Sequence, residues 1–87
     1  IDRQLDPDDK PAVQARVKAA RPTQLAGLKV ERVETQDGCR YLLEGGDWVL
    51  IRFSGTEAVI RVYCETTRKD KVQDLLNEGA RLAGIEP

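Results

Sequence analysis

The sequence has no histidine and no methionine among its 87 residues, and it has only two cysteines. The lack of histidine excludes Ser-His-Asp and Cys-His catalysis and removes the commonest transition-metal ligand. Cys39 and Cys64 lie far apart, without the paired spacing of a zinc site, and two cysteines cannot form a dense disulfide framework. We therefore expect two free thiols in a reducing cytoplasm.

Long apolar runs and an excess of one charge are missing as well. No run approaches the roughly 20 apolar residues that span a bilayer, so we expect no membrane partner. Fourteen basic and fifteen acidic residues leave a net charge of -1. Because neutralising phosphates requires an excess of Lys and Arg, this balance argues against a general affinity for nucleic acid.

The length fits one domain over residues 1–87, since domains commonly have about 100–200 residues. Ile1 rather than methionine is the first residue. We therefore expect this domain to be a piece of a longer chain.

The hydrophobic pattern predicts a helix, four antiparallel strands and a second helix. This order predicts an α+β fold in which both helices pack on one face of the sheet. We expect Thr67 to cap the second helix, with Asp70 as its capping-box partner, and Gly84 to end it. The predicted elements are the helix Asp8–Ala20, the strands Gly27–Glu34, Cys39–Glu44, Trp48–Phe53 and Val59–Glu65 with a tight turn at Asp37-Gly38 between the first two, and the closing helix after Thr67.

Alternation along the last two strands assigns their side chains to the two faces of the sheet. Three residues of each strand should face the helices, namely Val49, Ile51 and Phe53, and Ile60, Val62 and Cys64. On the opposite face, Arg52 and Arg61 should lie on the same side, near the mouth of the loop Ser54–Ala58. Trp48, Leu50 and Tyr63 share that face.

This loop has the groups that bind a phosphate. Gly55 lets backbone N–H groups approach a ligand, and Ser54 and Thr56 add hydroxyl donors. The guanidinium groups of Arg52 and Arg61 supply charge and bidentate geometry. The alternative interpretation is a plain hairpin with solvated arginines, because Gly, Ser and Thr are common in turns.

The run Trp48–Tyr63 resembles the phosphate-binding segment of the α-D-phosphohexomutases, most closely that of the phosphoglucomutase/phosphomannomutase branch. The C-terminal domain of these enzymes carries an Arg-x-Ser-Gly-Thr-Glu-Pro segment, followed by an arginine on the next strand. This sequence has Arg52, Ser54-Gly55-Thr56-Glu57 and Arg61 at those positions. Ala58 stands where the family usually has proline, which implies a less preorganised loop.

The resemblance implies that Arg52, Ser54, Gly55 and Thr56 hold the non-reacting phosphate of a phosphosugar and that Arg61 assists. It implies a fold like that of the TATA-binding protein, and a domain that acts as a lid over the active site. It also implies three preceding domains that carry the phosphoserine, a magnesium loop and sugar recognition. The full-length enzyme would interconvert hexose 1-phosphate and hexose 6-phosphate through a hexose bisphosphate. This part alone would hold no catalytic residue, metal or cofactor and would be inactive.

The residues are also compatible with two other functions. The chain could be a free-standing, non-catalytic module that binds a phosphorylated ligand or a protein, or an interaction domain whose hairpin binds nothing. Trp48 and Tyr63 could stack on a sugar or pack at a domain interface, and an exposed Leu50 would favour the interface.

Overall fold

The computed structural model describes residues 1–36 and 38–85, which form two helices and a six-stranded sheet. All neighbouring strands are antiparallel, in the order β1-β6-β5-β4-β3-β2. The predicted α+β class is thus confirmed, but the sheet has six strands rather than the predicted four. The elements are β1 (Asp2–Gln4), α1 (Lys10–Ala19), β2 (Gln24–Leu25), β3 (Leu28–Glu34), β4 (Cys39–Leu43), β5 (Trp48–Phe53), β6 (Val59–Glu65) and α2 (Val72–Ala83).

The two additional strands are the outer edges of the sheet. β1 has three residues and pairs with β6, while β2 has two residues and pairs with β3. Strands this short show no readable alternation, and β1 consists of polar residues. β1 forms because the distant strand β6 pairs with its backbone groups, and β2 forms because the adjacent strand β3 does so. A local hydrophobic pattern does not reveal such pairing.

The hairpin of β5 and β6 has the predicted faces. Val49 pairs with Cys64, Ile51 with Val62, and Phe53 with Ile60. Most of these side chains are fully buried and belong to one core cluster, which consists of Val17, Leu25, Leu28, Tyr41, Leu43, Val49, Ile51, Ile60, Val62, Leu75 and Ala83.

Helix α2 covers this apolar face at close range. A Cβ on Gly79 would lie 2.7 Å from a methyl group of Val62 and 3.1 Å from one of Val49, so the absence of a side chain permits the contact. α1 contacts α2 and contributes Val17 to the same core. In the part of the chain that the structure describes, neither helix is long and apolar enough to cross a membrane.

The ends of α2 confirm one prediction and correct another. Gly84 ends the helix in the left-handed region, and the N–H of Ile85 donates to the carbonyl of Ala80, as expected of a glycine C-cap. The predicted Thr67 cap with Asp70 is wrong: a 3-10 turn at Lys69–Lys71 precedes the helix, which begins at Val72.

Thr67 does not cap the helix because the hydroxyl of the neighbouring Thr66 fixes the preceding backbone. The Thr66 hydroxyl donates to the buried carboxylate of Asp47 at 2.8 Å and accepts the N–H of Arg68 at 3.0 Å. Arg68 has an extended backbone. The chain therefore cannot enter a helix directly after Thr67.

The turn predicted at Asp37-Gly38 is described only at Gly38, because Asp37 lies outside the described residues. Gly38 has a φ of +85°. A Cβ there would overlap the carbonyl oxygen of Ile51 and lie 3.1 Å from the Cα of Arg52. This position therefore needs glycine for both its backbone conformation and its contact with β5.

Candidate functional site

Two arginines face each other where β5 and β6 enter the loop of residues 54–58. Arg52 is the direct register partner of Arg61, and the side chain of Arg61 is 43% exposed. The Nε of Arg61 lies 3.8 Å from a carboxylate oxygen of Asp2, which is too far for a hydrogen bond. The pair places two cationic side chains beside the loop, and Asp2 partly offsets the charge of Arg61 at this ion-pair distance.

Ser54 closes the loop through its backbone and its side chain. Its N–H donates to the carbonyl of Val59 at 3.0 Å, and its hydroxyl oxygen accepts the N–H of Glu57 at 3.2 Å. Because this oxygen acts here as an acceptor, the hydroxyl proton stays available for a ligand. Glu57 thus contributes to the loop through its backbone N–H and carbonyl groups.

The segment before and at the start of α1 holds the loop from outside. The ammonium group of Lys10 donates to the carbonyl of Ser54 at 2.6 Å and to that of Glu57 at 3.0 Å. The N–H of Leu5 donates to the carbonyl of Ala58 at 2.6 Å. Three of the loop's carbonyl groups are therefore satisfied by residues far away in the sequence.

Two backbone donors at the tip of the loop point to no other group. Gly55 and Thr56 are exposed, and within residues 1–36 and 38–85 their N–H groups have no hydrogen-bond partner. A Cβ on Gly55 would meet nothing within 4 Å, so the space above this residue is open. The tip can therefore donate hydrogen bonds to an anion.

The structure brings all five predicted site residues to one end of the β5–β6 hairpin: Arg52, Ser54, Gly55, Thr56 and Arg61. Lys10 and Leu5 also contact the loop but were not among the predicted site residues. No motif could have identified them, because their contacts with the loop span more than 40 residues.

The aromatic residues of the outer face differ in their surroundings. The guanidinium of Arg40 lies 4.9 Å from the ring centroid of the half-buried Trp48, a cation–π contact. Tyr63 is 39% exposed, whereas Leu50 is only 8% exposed. Leu50 is thus covered by the chain itself, so the argument for an interface from an exposed leucine at this position is wrong.

The cysteines are both free thiols and half-buried. Burial is the main cause that raises the pKa of the Cys64 thiol above its usual value. A raised pKa lowers the fraction of the nucleophilic thiolate form at neutral pH. Among the residues whose positions are described, no three of Cys, Asp and Glu form a group that could hold a metal ion.

Residues 8–82 match the family model of the phosphoglucomutase/phosphomannomutase C-terminal domain. The chain belongs to this family. The matched region includes both helices up to Leu82 and the whole arginine-flanked loop, so the family expected from the run Trp48–Tyr63 is confirmed.

Individual relatives carry two enzyme names. A phosphoglucomutase/phosphomannomutase of Thermococcus kodakarensis is 36% identical over 63 residues, which cover 72% of this chain and 14% of the relative. A phosphoglucosamine mutase of Methanocaldococcus jannaschii is 51% identical over 49 residues, 56% of this chain and 11% of the relative. A probable phosphoglucosamine mutase of Methanothermobacter thermautotrophicus is 37% identical over 68 residues, 77% of this chain and 15% of the relative. The chain thus spans only a small part of these relatives.

Proposed function

We propose that this domain is the phosphate clamp and lid of a phosphohexomutase that interconverts hexose 1-phosphate and hexose 6-phosphate. One observation carries the proposal: Arg52 and Arg61 oppose each other beside a loop whose exposed Gly55 and Thr56 N–H groups have no hydrogen-bond partner among the described residues. Family membership supports the same function.

Each group in the clamp has a distinct role. The two guanidinium groups neutralise the charge of the phosphate that does not react and orient its oxygens. The N–H groups of Gly55 and Thr56 and the hydroxyl of Ser54 complete the set of donors. A phosphate held at this fixed point would keep the sugar oriented while the other end of the molecule exchanges its phosphoryl group.

The remaining chemistry would come from other domains of the full-length enzyme. There, carboxylates would hold the Mg2+ ion, and the enzyme would pass through a hexose bisphosphate. Closure of this domain as a lid would exclude water from the reacting groups. The same clamp could accept either phosphate of the bisphosphate, because its donors recognise only phosphate oxygens.

The test is an amide NMR titration of the 87-residue chain with inorganic phosphate and, separately, with glucose 1-phosphate. We expect saturable shifts at Ser54, Gly55 and Thr56 with an affinity of about 1 mM, equivalent to about -4 kcal/mol. Arg52→Ala should weaken binding about 10- to 100-fold, since a hydrogen bond to a charged group contributes about 1.5–3 kcal/mol.

Arg32→Ala is the matched control. Arg32 pairs with Leu42, and Leu42 pairs with Trp48 at the end of β5 that is remote from the loop. This variant removes the same charge without touching the clamp, so its binding should equal that of the unchanged chain. Equal weakening of phosphate binding in both variants would show that net charge alone causes the loss. An absence of saturable loop shifts in the unchanged chain would refute the proposed clamp.

A further inference from the structure

Lys10 is the first residue of α1, and nothing in the helix explains a lysine there. A cation at a helix N-terminus opposes the helix dipole. The first turn of α1 holds no acidic side chain, and Asp9 at the N-cap makes no side-chain capping bond. The two hydrogen bonds that Lys10 makes go instead to the loop between β5 and β6.

We propose that Lys10 is a positioning residue of the phosphate clamp, which acts through the loop backbone and does not contact the ligand. This inference rests on the function proposed above. Lys10 would hold the loop backbone in the orientation that binds phosphate before the phosphate arrives.

The geometry of the peptide bond provides the mechanism. In a trans peptide the C=O and the N–H of one unit point in opposite directions, and the described chain has no cis peptides. Because the carbonyl of Ser54 points at the ammonium group of Lys10, the N–H of Gly55 points away from it, out of the loop. The carbonyl of Glu57 fixes the N–H of Ala58 in the same way.

The charge of Lys10 adds a second effect. A cation that binds a carbonyl polarises the whole peptide unit, which strengthens the N–H of that unit as a hydrogen-bond donor. At 2.6 Å, the bond to the carbonyl of Ser54 is short for a nitrogen donor. Lys10 also stabilises a loop that has Ala58 where the family usually has proline, so a tertiary contact offsets the lost backbone restraint.

The test compares Lys10→Met with Lys18→Met in the 87-residue chain. Both variants remove one lysine charge from α1, but the side chain of Lys18 makes no hydrogen bond to the loop. In the absence of phosphate, Lys10→Met should shift the amide resonances of Gly55 to Ala58 and lower their {1H}-15N heteronuclear NOE values. Titration with inorganic phosphate should then show about tenfold weaker binding, equivalent to about 1.4 kcal/mol, with Lys18→Met unchanged.

Lys10→Arg should restore both readouts, because the guanidinium fork also donates to two acceptors. Loop resonances in Lys10→Met that match those of Lys18→Met would overturn the inference. Unchanged phosphate affinity in spite of a disordered loop would overturn it as well. If the unchanged chain gives no phosphate shifts, the proposed clamp fails and this inference fails with it. That outcome can be distinguished from a failure of the Lys10 inference alone, because it is measured on the unchanged chain.

Discussion

Gly38→Ala should be among the most destabilising single-methyl additions in this protein. Two costs add at this position. Gly38 has a φ of +85°, and an L-residue in the left-handed region loses about 1–2 kcal/mol. The new methyl group would also overlap the carbonyl oxygen of Ile51 and approach the Cα of Arg52. Both are backbone atoms of a strand held on both sides, so we expect a further overpacking cost of about 1–3 kcal/mol.

Gly46→Ala separates these two costs. Gly46 has a φ of +86°, and a Cβ there would meet nothing within 4 Å. It therefore carries only the conformational cost, about 1–2 kcal/mol. The difference between Gly38→Ala and Gly46→Ala should be about 2 kcal/mol, which isolates the steric contact with β5.

The free energy of unfolding can be measured by urea titration, with the fluorescence of Trp48 as the signal. Trp48 is the only tryptophan and lies in β5, the strand that the new methyl group would displace. The m-value should stay the same in both variants if only the folded state changes. Equal destabilisation by the two substitutions would refute the argument that Gly38 is required for the close approach to β5.

Two further predictions concern buried polar groups. Thr66→Val should destabilise the fold by about 1–3 kcal/mol, because the buried carboxylate of Asp47 would lose its hydroxyl donor. Thr67→Val removes an exposed hydroxyl, so it should change the free energy of unfolding by less than about 0.5 kcal/mol in the same urea titration. A larger loss in Thr67→Val than in Thr66→Val would contradict this assignment and support the Thr67 cap. Burial, assisted by the neighbouring Cys39, raises the pKa of Tyr41 well above its usual value. The unfolded chain therefore releases this proton first, and the free energy of unfolding should fall as the pH rises beyond about 10. Tyr41→Phe should make that fall shallower, and an unchanged alkaline slope would contradict this assignment.

The parts of the fold that the sequence predicted correctly are those with strong local signals. β5 and β6 alternate clearly and are separated by a short loop, which sets both their bounds and the opposition of Arg52 and Arg61. Gly84 likewise ended α2 as expected, because glycine readily adopts the left-handed conformation.

The parts that it did not predict depend on distant contacts. β1 exists only because β6 lies beside it, and Lys10 reaches the loop across 44 residues. The predicted start of α2 was wrong for a related reason. By residue type, both Thr66 and Thr67 are good helix caps. Only the position of Asp47 in the folded chain decides which of them makes hydrogen bonds.

The two short outer strands also determine what the edges of the sheet offer to a second chain. β5 and β6 are rich in β-branched and aromatic residues, the composition that most readily recruits strands from other molecules when an edge is open. In the folded chain the outer edges are β1, with three polar residues, and β2, with two residues. Short edges offer few free backbone groups to a second chain, and Asp2 and Arg3 add charge to the β1 edge. The polar segment at residues 2–4 thus covers the edge of the strand that carries Arg61, which would otherwise be open to pairing.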